Sequence, residues 1–87
     1  MSNRIYLLLD VLKDKSDQVT ENLQGRPGVV IADPLKGPPD VMIVVEASNR
    51  QSVAELAIQA LVSVETMTKS VRMLPTRDGL NTHIIEK

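Results

Sequence analysis

The run Val41-Met42-Ile43-Val44-Val45-Glu46-Ala47 is apolar at both odd and even positions. Successive side chains of a strand point to opposite faces, so Val41, Ile43 and Val45 face one way while Met42 and Val44 face the other. A strand of this kind needs cover on both sides. Ahead of it stands Leu35-Lys36-Gly37-Pro38-Pro39-Asp40, a rigid loop, and behind it Ser48 and Asn49 offer a helix cap. A chain of 87 residues has little material for covering both faces of a sheet. The second face is therefore expected to meet another copy of the protein, with the Gly37–Asp40 loop at the rim of that contact.

Composition narrows what remains. One domain is expected over residues 1–75, followed by a tail over 76–87. No cysteine is present and His83 is the single histidine, so neither a disulfide framework, a thiolate metal site nor an imidazole cluster can be built. With 43% apolar residues and only Tyr6 aromatic, the core must be aliphatic, and 24% charged residues argue against disorder. A formal charge of −1, scattered basic residues and no aromatic stacking platform disfavour nucleic acid as a partner. Asp10 interrupts the apolar run Ile5–Leu9, which is too short for a signal peptide or a membrane span, so a cytoplasmic location is expected.

Six elements follow along the chain. Ile5–Leu12 reads as a strand, and Ser16 as the N-cap of a short helix carrying Val19 and Leu23 at i and i+4. Gly25 ends that helix and Arg26-Pro27-Gly28 turns into a strand beginning Val29-Val30-Ile31-Ala32. Pro34 cannot donate to a ladder, which puts this strand at a sheet edge. After Val41–Ala47, a helix capped by Ser48 or Asn49 carries Val53, Leu56, Ala57, Ala60, Leu61 and Val64 on one continuous face. Thr66–Leu74 reads as a last strand, with Met67, Val71 and Met73 on one parity and Thr68, Ser70 and Arg72 on the other. Lys69 breaks the apolar set, as a strand end near solvent or a bulge would.

The order βαββαβ predicts an α+β, ferredoxin-like fold: a four-stranded antiparallel sheet in the order 4-1-3-2, with both helices on one face. Its two central strands are the two that are apolar on both sides. Tyr6, Leu8, Met42 and Val44 are then expected as an interaction patch on the helix-free face. The alternative is that the tail covers this face, Asp78-Gly79 closing a hairpin to Leu80–Ile85.

The run Gly37-Pro38-Pro39-Asp40 leading into Val41–Ala47 resembles the Gly-x-x-Asp loop and following strand of the C-terminal effector domain, or RAM domain, of the Lrp/AsnC family of transcription regulators. Pro27-Gly28-Val29 is similar to the Pro-Gly-Val that commonly follows the first helix there, and the threonine-rich last strand also fits. The likeness spans roughly Ile5 to Leu74. It departs in two places: no Pro-Gly turn follows the second helix, where Leu61-Val62-Ser63-Val64-Glu65 runs through, and the helix-turn-helix that precedes this domain in full-length regulators is not expected here. What the resemblance implies is a stand-alone effector domain. It would dimerise through its sheet, assemble further into octamers or decamers, bind a small molecule such as an amino acid near the loop, and mix with full-length Lrp-type regulators without contacting DNA itself.

Individual residues carry two readings each. Gly37 permits close approach of a ligand, Pro38 and Pro39 stiffen the loop, and Asp40 can accept from an ammonium group or else cap backbone N–H groups of the turn. Thr68 and Ser70 can supply hydroxyls to the ligand, or serve only as β-formers on a half-buried face. Ser48 and Asn49 are helix caps. Asp10 ends a buried segment, and His83 sits on the tail. Catalysis is not expected, since isolated carboxylates stand without histidine or cysteine beside them, and neither a cofactor nor a metal is implied. A second binding reading stays open: the twin-arginine signal-peptide chaperones of nitrate reductase maturation share this fold, with a similar Pro-Gly turn and a similar apolar strand before a capped helix. They bind a peptide on the sheet face.

Overall fold

The computed structural model describes residues 3–74; the expected tail hairpin and His83 lie outside them. The elements run β1 (Asn3–Val11), α1 (Ser16–Gln24), β2 (Val29–Pro34), β3 (Val41–Ala47), α2 (Arg50–Ser63), a 3₁₀ turn (Glu65–Met67) and β4 (Thr68–Leu74). The four strands form one antiparallel sheet in the order β2-β3-β1-β4, which is the ferredoxin-like arrangement. Pro34 stands on an edge strand, where its missing N–H removes no ladder bond.

One face of the sheet carries the core. Leu7, Leu9 and Val11 of β1 and Val41, Ile43 and Val45 of β3 pack with Val19 and Leu23 of α1 and with Val53, Ala57 and Ala60 of α2, and Val64 closes the end. Leu56 and Leu61, the other two residues of the expected helical face, are partly buried against this cluster. The side chain of Asn49 accepts from Ser52 N at 2.8 Å, so Asn49 is the cap of α2. Ser16 is not a cap. Lys15 holds that position without a side-chain bond, and Ser16 is the first helical residue, its carbonyl accepting from Thr20 Oγ1 at 2.7 Å.

Two turns set the relation of helices to sheet. Gly28 has φ +84° and its carbonyl accepts from Glu46 N at 2.8 Å, tying the turn after α1 to β3. A Cβ built on Gly28 would lie 2.7 Å from Leu56 Cδ1, so glycine serves both the backbone conformation and the approach of α2. At the end of α2, where the resembled family turns on Pro-Gly, the chain instead uses the 3₁₀ turn. Val64 N donates to Leu61 O at 3.2 Å, Met67 N to Val64 O at 3.0 Å, and Thr68 Oγ1 to Val64 O at 2.9 Å. Local carbonyls are satisfied without a left-handed residue.

The last strand starts two residues later than its sequence pattern suggests, and it contains a register shift. Asp10 pairs with Ser70 but Val11 pairs with Thr68, leaving Lys69 as the extra residue. Lys69 breaks the apolar alternation because it is the bulge.

Candidate functional site

Residues directly opposite in an antiparallel pair share a face, so the register identifies the side that neither helix covers. Tyr6 lies beside Val44 and Leu8 beside Met42 at the centre of this open face. Ile31 extends the apolar strip on the β2 side of Val44, and Leu74 extends it on the β4 side of Tyr6. Charged groups rim it. Arg4 Nε donates to Glu46 Oε2 at 2.8 Å at one end, and Asp10, Arg72 and Asp33 stand elsewhere on the border. The Glu46 and Tyr6 oxygens bonded to Arg4 hold its guanidinium further above an already high pKa, so Arg4 stays charged.

The four expected patch residues therefore share one face, but they are not equally exposed. Tyr6, Leu8 and Met42 are half-buried, whereas Val44 is 1% exposed. Val44 also stands outside the core cluster on the helix side. The expectation that Val44 is an exposed member of the patch is corrected: it is a buried element under the open face, between Tyr6 and Ile31.

The loop residues take defined positions. Gly37 has φ +79°, in the left-handed region that glycine enters without penalty, and a Cβ there would meet open space. Pro38 and Pro39 follow, joined by a cis peptide bond. Asp40 N donates to Leu9 O at 2.8 Å, and Val11 N donates to Asp40 Oδ2 at 2.9 Å. The physical reason lies in strand lengths. Val41 is the first residue of β3 and pairs with Leu9, so the N–H of Val11, two residues beyond, has no strand to bond and takes the carboxylate instead. Of the two readings for Asp40, backbone capping is the role its Oδ2 fills. Replacing Asp40 with alanine strands the Val11 N–H and should lower unfolding free energy by about 1–3 kcal/mol in a urea titration. An unchanged midpoint would remove this role.

The bulge at Lys69 separates the two expected hydroxyls. Thr68 pairs with the core residue Val11 and bonds Val64 O, so it serves the helix side. Ser70 stays on the open face, where its Oγ donates to Asp10 Oδ2 at 2.9 Å. A cavity of about 270 Å³ opens there, lined by Leu8, Asp10, Pro39, Ser70, Val71 and Arg72. Two expected site residues, Pro39 and Ser70, thus meet at one corner with two that the sequence reading does not assign to the site, Asp10 and Arg72. The available signal is Asp10 itself, a carboxylate in the middle of an apolar strand. Its partner can be found only with the register of β4. Among the described residues no group of three or more His, Cys, Asp or Glu side chains is placed to hold a metal ion. No helix among them is long and apolar enough to cross a membrane.

Comparison with known proteins gives structure without sequence. No family model matches the chain, and no curated protein matches it. Solved structures do match. FFRP-DM1 superposes with a TM-score of 0.74 at 17% identity, over 87% of this chain and 99% of that one. The Escherichia coli Tat proofreading chaperone NapD gives 0.64 at 19% identity, over 93% of this chain and 86% of that one. The transcriptional regulator NMB0573 of Neisseria meningitidis, solved as a complex with L-Met, gives 0.65 at 11% identity over 91% of this chain, which spans 52% of that one. These likenesses establish the fold, and the fold is shared by regulator domains and by a chaperone.

Proposed function

We propose that the chain is a non-catalytic regulatory domain that self-associates through its open sheet face and responds to a small molecule, an amino acid being the class that fits best. The observation that carries this reading is the face itself: an apolar centre of Tyr6, Leu8, Met42 and Ile31, rimmed by charges, on the side of the sheet opposite both helices. Apolar centres with polar rims are how protein interfaces are built. The fold's likeness to FFRP-DM1, and to a regulator solved with L-Met, supports the same reading. Assembly beyond a dimer, to an octamer or decamer, and mixed assembly with a full-length Lrp-type regulator in the cytoplasm belong to the same proposal. So does the lack of autonomous DNA recognition.

Val44 is too buried to test the interface cleanly, so Met42 is the better probe. Met42 lies between Leu8 and Asp33 on the open face. In a lone chain Met42→Lys keeps its ammonium in water and beside Asp33, whereas across a face-to-face dimer the charge is desolvated. Sedimentation of the wild type should show a dimer or larger species, and Met42→Lys should sediment as a folded monomer. A monomeric wild type at high micromolar concentration overturns self-association.

That outcome would favour the second reading, a peptide-binding chaperone, for which the likeness to NapD speaks. A monomer that retains a twin-arginine signal peptide, and loses it on Met42→Lys, would establish the chaperone.

A further inference from the structure

The two helices do not cover the sheet across its full width. α1 packs on β2 and β3, and α2 mainly on β3 and β1, which leaves the inner side of β4 largely open. Val71 and Met73 lie opposite the core residues Leu9 and Leu7, so the register puts them on that inner side, yet they are 42% and 56% exposed. A cavity of about 220 Å³ opens beside Val71, lined further by Leu61 and Val62 of α2, Glu65 of the 3₁₀ turn, and Thr68 and Lys69 of β4.

β4 is also an edge strand, and its outward backbone groups can be identified. Leu9 O and Val11 N are both bonded by Asp40 at the head of β3. In an antiparallel sheet the N–H and C=O of one residue point the same way, and those of the next residue point the other way. Leu8 and Asp10 therefore turn toward β4 and bond their partners Arg72 and Ser70, which directs the N–H and C=O of Val71 and Met73 out at the edge. Side chains along this edge alternate as well: Val71 and Met73 to the helix side, Ser70 and Arg72 to the open side. The charged residues of β4 are Lys69 and Arg72, both exposed and both cations. Asp10, the acid opposite Ser70, lies one strand inward and is held by Ser70 Oγ at 2.9 Å.

We propose that the edge of β4 takes an extended peptide of a partner protein as a fifth strand, and that the peptide alternates apolar and acidic side chains. Its backbone bonds the outward groups of Val71 and Met73. Its apolar side chains lie opposite those two residues and enter the groove beneath α2, where Glu65 disfavours an acid. Its acidic side chains lie on the other side of the strand, opposite Arg72. Pairing of β4 with β4 of a second copy is opposed by the same charges, since it gathers Lys69 and Arg72 of both chains on one short ribbon, and lysine on an edge strand is a common guard against self-pairing. The site lies apart from the centre of the open face, so it holds whether or not that face self-associates.

The experiment is fluorescence anisotropy of the full chain with two labelled heptapeptides at low salt and neutral pH, Val-Glu-Val-Glu-Val-Glu-Val and Val-Lys-Val-Lys-Val-Lys-Val. The wild type should bind the glutamate peptide and not the lysine peptide. Arg72→Glu should weaken the glutamate peptide roughly two- to thirtyfold, the range for turning one cross-strand ion pair into a repulsion, and should gain affinity for the lysine peptide. Met73→Pro removes an outward donor while the bonds to β1 run through Arg72 and Leu74, so it should lose roughly two- to tenfold for the glutamate peptide. Val30→Ser, an exposed position on the opposite edge strand β2, should bind as the wild type does. Circular dichroism checks that each variant is folded, and the charge swap at Arg72 decides the matter if Met73→Pro is not. No binding of the glutamate peptide by the wild type overturns the proposal. So does equal binding of the two peptides, or a loss on Val30→Ser with none on Arg72→Glu, which would move the site to the other edge.

Discussion

Val44→Glu should unfold the chain rather than merely dissociate it. Val44 is 1% exposed, held between Tyr6 and Ile31 in adjacent strands, and paired to both through the ladder. Neither residue directly opposite that position, Tyr6 or Ile31, is basic, and the diagonal neighbour Arg4 is already bonded to Glu46 and Tyr6, so the carboxylate is uncompensated, which costs about 3–5 kcal/mol. Domains have roughly 5–15 kcal/mol of stability in all, and one of this size sits toward the low end of that range. Burial raises the pKa of the introduced acid in the folded state. The folded form then binds more protons than the unfolded form between the two pKa values, so the mutant's stability should recover as pH falls through that window and be lowest at neutral pH. Far-ultraviolet circular dichroism against urea, at neutral and mildly acidic pH, reads both effects. A cooperative transition at the wild-type midpoint would falsify the intrinsic burial of Val44.

Gly28→Ala should be nearly as damaging, from the opposite side of the sheet. The backbone there has φ +84°, which an L side chain enters at a cost of about 1–2 kcal/mol. The new Cβ would also stand 2.7 Å from Leu56 Cδ1 and 3.2 Å from its Cβ, so rotating the leucine tip does not relieve the contact. Overpacking of this kind adds about 1–3 kcal/mol. A total of about 2–5 kcal/mol corresponds to a fall in melting temperature of roughly 8–40 °C for a domain this small, readable by calorimetry. Gly37→Ala is the matched comparison: the backbone has φ +79°, but the added Cβ meets open space, so only the conformational cost remains. Equal losses at the two glycines would mean that the approach of Leu56 contributes nothing.

Several features are legible in the residues because they depend on near neighbours in the chain. The doubled apolar parity of Val41–Ala47 marks a central strand with two faces to cover, Pro34 marks an edge, and Val53 through Val64 mark a helix packed along one side. A cap at Ser48 or Asn49 before that helix is visible, and the structure assigns it to Asn49. Each of these is a consequence of period or of a single residue's backbone chemistry, and each survives folding unchanged.

What escapes the sequence depends on partners distant in it. Alternation alone puts Thr68 and Ser70 on one face, because a bulge shifts parity by one and leaves little trace beyond an ill-fitting Lys69. Asp40 has the chemistry of a ligand group, but the relative lengths of β1 and β3 leave the Val11 N–H in need of an acceptor. Asp10 has the look of a strand terminator, yet the same bulge sets it against Ser70 and near Arg72. The sequence by itself determined the element order and the antiparallel ferredoxin-like sheet, since these follow from hydrophobic period and chain connectivity. Only the tertiary structure decided which polar side chains meet, because that is settled by register, and register is a property of two strands together.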